Sequence, residues 1–312
     1  MSVHHALQRP EAERFAAEGG CVPGFRFAIL SSMHFLLKVS RPRFWFYIFG
    51  PYLVGLVAAA ATREDLLDWR FALFGLFFLF PANLLIYGVN DIFDYETDKL
   101  NEKKNAYETL VVPDRRRSLL IAILATNLPF IIAAIIFASA ALPSLAAFLF
   151  FSIFYSAPPI RAKTKPFLDS AFNILYVFPG AFAYQMLSGN FPPIGLMIAA
   201  GCWTAAMHAY SAIPDIEADK AAGLKTIASV LGPYGTLAAC AMLYAASAIL
   251  SFEYLGIASV TLGGAYILLM LASVASYRSG RLFKLYRAFP LINIAAGFVI
   301  FWNVALSKLL PI

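Results

Sequence analysis

The chain has 312 residues, 61% of them hydrophobic and only 13% charged, with a formal net charge of +6. That makeup excludes an ordinary soluble domain and a disordered chain, and it reads as an all-α membrane protein. The positive charge follows from the placement of loops and calls for no nucleic-acid partner.

Residues 1–43 are expected to form a cytoplasmic N-terminal segment. Arg26 and Lys38 flank its one short apolar stretch, and no small-residue cleavage site follows, so it is not a removable signal by pattern. Phe27, Leu30, His34 and Leu37 fit an interfacial amphipathic helix ahead of Arg41-Pro42-Arg43. Residues 44–312 then hold the membrane domain. A spanning helix needs about 20 mainly apolar residues. Nine runs meet that need: 44–61, 71–90, 118–138, 142–158, 168–188, 194–213, 234–252, 255–276 and 288–308. Of the 24 Lys and Arg residues, 21 fall before the first run or in alternate loops; Arg63, Arg70 and Lys308 lie on the other side. The positive-inside bias therefore predicts nine transmembrane helices, a cytoplasmic N-terminus and an external C-terminus. Cys21, Cys202 and Cys240 show no paired or metal-binding spacing.

The second predicted span ends in Asn90-Asp91-x-x-Asp94-x-x-x-Asp98, and the sixth leads into Asp215-x-x-x-Asp219. Helical spacing sets Asn90, Asp94 and Asp98 along one face, and Asp215 with Asp219 along another. Like charges so arranged repel, and hard oxygen ligands of this kind suit Mg²⁺. Bases follow each cluster: Lys99, Lys103 and Lys104 after the first, Lys220 and Lys225 after the second. The fourth predicted span opens onto a further basic loop with Arg161, Lys163 and Lys165, while Arg115-Arg116-Arg117 stands where topology alone would place it. A diphosphate substrate explains acids and bases together, with carboxylates holding the metal and Arg or Lys holding the remaining phosphate oxygens. Surface ion pairing is the plainer alternative. The recurrence of acids and then bases predicts two related sub-bundles around a central cavity, with an active site at the cytoplasmic side.

Two polar residues lie inside predicted spans. Asn83 stands seven residues before Asn90 and His208 seven before Asp215, each two turns from its cluster on about the same face. Together with Tyr87 they are candidates for an acceptor pocket, interhelical hydrogen bonding being the alternative. His208 is also placed to take a proton from a product cation. Among 29 Phe and 15 Tyr, Tyr87 and Tyr155 stand nearest the clusters and can present ring faces to a cation. Glu217 points about 200° away from Asp215 on an ideal helix and reads as solvated; Asp169 is left open.

These motifs carry a resemblance. The two acid clusters, nine runs and Tyr155-Ser156-Ala157-Pro158-Pro159-Ile160-Arg161-Ala162-Lys163 resemble the UbiA-type superfamily of intramembrane prenyltransferases from Arg41 onward. The resemblance implies Mg²⁺ and prenyl diphosphate at Asn90, Asp91, Asp94, Asp98, Asp215 and Asp219. It also implies diphosphate binding by Arg161, Lys163 and Lys225, and catalytic roles for Asp91, Asp94, Asp215 and Tyr155.

Three further segments are similar to the lycopene elongase branch: Pro81-Ala82-Asn83-Leu84-Leu85-Ile86-Tyr87-Gly88-Val89, Lys165-Pro166-Phe167-Leu168-Asp169-Ser170 with Tyr176-Val177-Phe178-Pro179-Gly180, and Ser211-Ala212-Ile213-Pro214-Asp215-Ile216-Glu217. That branch implies transfer of a dimethylallyl group from dimethylallyl diphosphate to the ends of lycopene, with or without hydration, the apolar acceptor arriving from membrane lipid. An aromatic or quinone-precursor acceptor stays open, since Arg41 and Arg43 could hold its carboxylate. A transporter is the alternative of another class, although acids at span ends do not resemble a midplane conduction path.

Overall fold

A computed structural model describes residues 33–95, 99, 109–279 and 282–309. Every regular element among them is helical. After a helical stretch over residues 33–39, the main helices are α1 (Phe46–Ala59), α2 (Trp69–Leu79), α3 (Pro81–Phe93), α4 (Arg116–Phe137), α5 (Leu142–Ser156), α6 (Leu168–Ala171), α7 (Phe178–Ser188), α8 (Ile194–Ala212), α9 (Ile216–Ala221), α10 (Ile227–Leu255), α11 (Ile257–Arg278) and α12 (Leu282–Leu309).

Local chemistry sets their ends. Asp68 caps α2 by accepting from the Arg70 backbone N–H at 2.9 Å, and Pro81 opens α3 at a position where its missing N–H costs nothing. Thr226 and Ser229 form a reciprocal capping box at the head of α10. That helix turns at Gly232-Pro233, where Gly232 takes φ 66°, a conformation open to glycine without a Cβ penalty.

Seven helical segments among the described residues are long and apolar enough to cross a membrane: Trp69–Phe93, Pro113–Phe137, Ser139–Ser156, Ile194–Ala221, Ile227–Leu255, Ile257–Arg278 and Leu282–Lys308. The other two predicted spans are helical but differ from the expectation. The first is the 14-residue α1, entered through a 3₁₀ turn at Pro42–Phe44. The run at 168–188 is not one helix: α6 passes through a 3₁₀ turn at Phe172–Tyr176 into α7, which Pro179 helps to start. Asn173 is drawn into that break, where its amide donates to the Asp169 carbonyl at 2.7 Å. Residues 1–32, Asp98, Lys103 and Lys104 lie outside the described residues, so the first part of the predicted amphipathic helix does too.

Two apolar cores divide the chain. Buried side chains from Val39 to Met197 form one and those from Ala206 to Ala296 the other, with Tyr176 packed against both. Edge-to-face phenylalanines knit the first: Phe182 meets Phe74 at 4.9 Å and Phe78 at 5.3 Å between ring centroids. Close backbone approach helps: a Cβ on Gly180 of α7 would stand 2.8 Å from the Pro51 carbonyl oxygen of α1, so only glycine lets these helices meet. The second core carries more hydroxyls. Tyr210 and Ser273 oxygens lie 3.0 Å apart. Tyr266 donates to Asn293 at 2.8 Å and Asn293 to Tyr47 at 3.0 Å, which ties α12 back to α1.

Candidate active site

The end of α3 carries the first cluster into the protein. Asp91 and Asp94 are 2% and 1% exposed, far below what an isolated carboxylate tolerates. Each meets cations from elsewhere in the chain. Arg41 donates to Asp91 at 2.8 Å and lies over the Tyr87 ring, 4.8 Å from its centroid. Lys163 pairs closely with Asp94, and Arg161 Nη2 stands 3.9 Å from the same carboxylate. Burial pushes the Asp94 carboxyl above the ordinary range, and Lys163 opposes that shift. Arg41 and Arg161 both adopt positive φ, 51° and 46°. Non-glycine residues do so at some cost, and here it aims both guanidinium groups at one cluster. Asn90 is anchored differently, donating to Ser156 Oγ at 3.0 Å and so joining the ends of α3 and α5.

Tyr155, one residue before the end of α5, joins the two clusters. It lies within electrostatic reach of Asp94, Asp169 and Asp219. Its ring also meets His208 edge-on, at 5.9 Å between centroids. The second cluster sits on the short segment between α8 and α10. Asp215 and Asp219 are both half-buried, and Asp219 accepts from Thr226 Oγ1 at 3.0 Å. An aromatic wall extends from the acids into the protein: Phe44 lies 5.9 Å from Tyr47 and 6.0 Å from Tyr87, and Tyr47 lies 6.0 Å from Tyr176.

Asn83, Lys225 and Asp169 complete the surroundings of the two clusters. Asn83 is fully enclosed and donates to the Phe78 and Leu79 carbonyls at 3.0 and 2.9 Å. Those carbonyls belong to the break between α2 and α3, so the Asn83 amide hydrogens bridge that break, while its Oδ1 is buried and unbonded. Lys225 is exposed, and among the described residues no hydrogen bond or ion pair ties it to an acid. Asp169, left open by the sequence, is fully buried: it accepts from the Ile227 backbone N–H at 2.8 Å and faces His208 Nε2 at 4.0 Å. Glu217 is exposed beside Lys220, as its helical phase predicts. Sequence spacing held no sign of the Arg41–Asp91 or Asn90–Ser156 pairings, which join residues 50 and 66 positions apart.

Among the described residues no three His, Cys, Asp or Glu side chains converge to form a metal site. The donors nevertheless suit Mg²⁺, which takes one or two carboxylates and fills its remaining positions with water and phosphate oxygens. Asn, Asp and hydroxyl oxygens are hard ligands, and the cations beside them complement a polyanion. These features together describe an all-helical, multi-pass membrane protein that sets buried acids against cations at the ends of its helices.

The chain belongs to the UbiA prenyltransferase family, whose model matches residues 48–304, and it is a prenyltransferase. It is 39% identical to a lycopene elongase/hydratase of Haloferax volcanii over 85% of this chain and 87% of that one. It is 42% identical to a lycopene elongase/hydratase of Halobacterium salinarum over 69% and 77% of the respective chains. Its fold is that of a UbiA homolog from Archaeoglobus fulgidus bound to DMAPP and Mg²⁺, with a TM-score of 0.61, 22% identity, and coverage of 86% of this chain and 99% of the other.

Proposed function

We propose that this enzyme transfers a dimethylallyl group from dimethylallyl diphosphate to the terminal double bond of lycopene and hydrates the resulting cation. The observation that carries the reading is the pairing of the acid–base mouth with the aromatic wall below it, in a chain 39% identical to an elongase/hydratase over 85% of its length. An aromatic acid would need a cation for its carboxylate; Arg41 is engaged by Asp91, and Arg43 lies over the Phe44 ring of the wall, 4.4 Å from its centroid.

Asn90, Asp91, Asp94 and Asp98 on one side and Asp215 and Asp219 on the other would hold Mg²⁺, which supplies electrostatic neutralisation of the departing diphosphate. Lys163 and Arg161 lie beside Asp94 and are placed to share their charge with phosphate oxygens, with Lys225 at the solvent side. As the allylic carbon–oxygen bond breaks, its electron pair leaves with diphosphate. Tyr155 and Tyr87 present ring faces to the carbon left positive. The lycopene π pair then forms the new carbon–carbon bond, and the charge passes to a tertiary carbon of the acceptor.

Topology belongs to the same reading. Nine membrane crossings, counting α1 and the broken α6–α7 segment, place residues 1–43 and both acid clusters in the cytoplasm and the C-terminus outside. Arg70 agrees with that placement: it pairs with Asp68 and donates to the Phe137 carbonyl at 3.0 Å, at the ends of α2 and α4 remote from the acids. The test is pigment analysis after expression in a lycopene-producing host, where longer and more polar carotenoids are expected. Unchanged lycopene with prenylation of an added aromatic acid would replace this reading with the other acceptor. A C-terminal tag should be accessible only from outside, and cytoplasmic labelling would refute nine crossings.

A further inference from the structure

His208 and Asp169 stand apart from the acid clusters and from the bases that answer them. Asp169 is completely buried, and its two oxygens are used unequally. Oδ2 accepts the Ile227 N–H at the head of α10 at 2.8 Å, a favourable place for a carboxylate. Oδ1 is buried and meets no side-chain donor among the described residues, with only the backbone N–H groups of Ser170 and Phe167 near the carboxylate. A buried carboxylate oxygen left so is costly unless a donor reaches it. The Oδ2 anchor also orients the group, so Oδ1 has a definite direction.

His208 Nε2 lies 4.0 Å from Asp169 Oδ2, beyond hydrogen-bond length, and its side chain keeps 21% exposure between buried neighbours Met207 and Ala209. The imidazole edge meets Tyr155, which itself lies within electrostatic reach of Asp94, Asp169 and Asp219. A buried carboxylate held just beyond hydrogen-bond reach of an imidazole nitrogen describes a seat for one water, donating one hydrogen to Asp169 and one to His208 Nε2.

We infer that Asp169 and His208 hold and activate the water that quenches the product cation, His208 as the catalytic base and Asp169 as its positioning residue. The inference rests on the elongase/hydratase reading. The water oxygen directs a lone pair to the tertiary cation and forms the carbon–oxygen bond. One water O–H bond breaks, its electrons stay on oxygen, and the proton passes to Nε2. Asp169 then faces an imidazolium, and the proton leaves to solvent with the products. Without this seat the same cation loses a proton from an adjacent carbon and ends as an alkene.

The experiment measures the ratio of tertiary alcohol to alkene among elongated products in His208→Gln and Asp169→Asn, with purified enzyme, Mg²⁺, dimethylallyl diphosphate and lycopene. A change in total turnover does not move that ratio. It is expected to fall about tenfold in both variants, less than a general base usually contributes because a tertiary cation needs little assistance. An unchanged ratio in either variant overturns the inference. So does complete loss of elongation in a folded variant that still binds Mg²⁺ and dimethylallyl diphosphate, since the pair is assigned only to the step after carbon–carbon bond formation. Should neither variant fold, wild-type enzyme in D₂O decides: a falling alcohol share supports proton transfer from water, and a constant share overturns it. Absence of any elongated product from the wild type would instead refute the proposed acceptor.

Discussion

Asp94, at the end of α3, is 1% exposed and lies between Lys163 and Arg161, both from the loop after α5. Asp219, its counterpart in the other half, is half-buried and accepts from Thr226, seven residues further along its own segment. The first cluster is thus assembled by tertiary structure, with cations from distant parts of the chain set against buried acids. The second includes a local tie, from Asp219 to the Thr226 cap of α10. Two clusters of the same chemistry therefore couple to the fold to different extents, and substitutions should separate activity from stability in one cluster and not in the other.

Asp94→Ala should show the largest effect. Prenyl transfer is expected to fall about 10³-fold, the scale of losing a principal electrostatic contact to the transition state. Stability should fall by about 3 kcal/mol, because Lys163 would be left as an uncompensated, largely buried charge. Product formation and thermal unfolding in detergent read the two separately. Retained turnover would remove Asp94 from the metal site, and an unchanged melting temperature would show that Lys163 finds water without its partner.

Asp219→Ala is expected to cost about 10²-fold in rate but only about 1 kcal/mol in stability, the size of a lost cap-like hydrogen bond. A loss of stability equal to that of Asp94→Ala would erase the contrast between the clusters. Arg41→Lys should come next. Lysine keeps the charge near Asp91 but loses the planar group that lies over Tyr87, and a fall of about tenfold in kcat/KM is expected, the scale of one charge-assisted hydrogen bond. An equal fall in Arg41→Ala would mean that charge contributes nothing beyond shape.

What the sequence revealed follows the same division. Acid spacing, the basic loop after α5 and the apolar runs were legible because each is a local pattern: Asn90, Asp94, Asp215 and Asp219 follow from periodicity and span ends, while the diphosphate roles of Arg161 and Lys163 come from the family resemblance. Arg41 on Asp91 was not legible, because a positive φ before Pro42 and a partner 50 residues away leave no periodic trace. Spacing could not show that the Asn83 amide hydrogens are used at the break before Pro81, because that break depends on how α2 meets α3. The run at 168–188 read as one helix because hydropathy does not register that Asp169 caps another helix while Asn173 bonds back to it.

Lys225 is where sequence and structure diverge most within the site, and it carries the smallest expected effect. The sequence places it in a diphosphate role beside Asp219, as Lys163 is placed beside Asp94. Lys163 is 13% exposed and paired, however, whereas Lys225 is exposed after the Gly223 turn. An exposed lysine keeps its hydration and its rotamer freedom until substrate binds, so its charge is screened and its ordering offsets what it contributes. Lys225→Ala should therefore raise KM for dimethylallyl diphosphate about threefold, a few tenths of a kcal/mol to one, with kcat nearly constant and the increase shrinking at high salt. Lys163→Ala should lower kcat instead, because its charge is already desolvated where the leaving group departs. A fall in kcat for Lys225→Ala as deep as that for Lys163→Ala would show that the loop after α9 folds over the diphosphate during turnover. The local cluster would then become as tightly built as the buried one once substrate is bound.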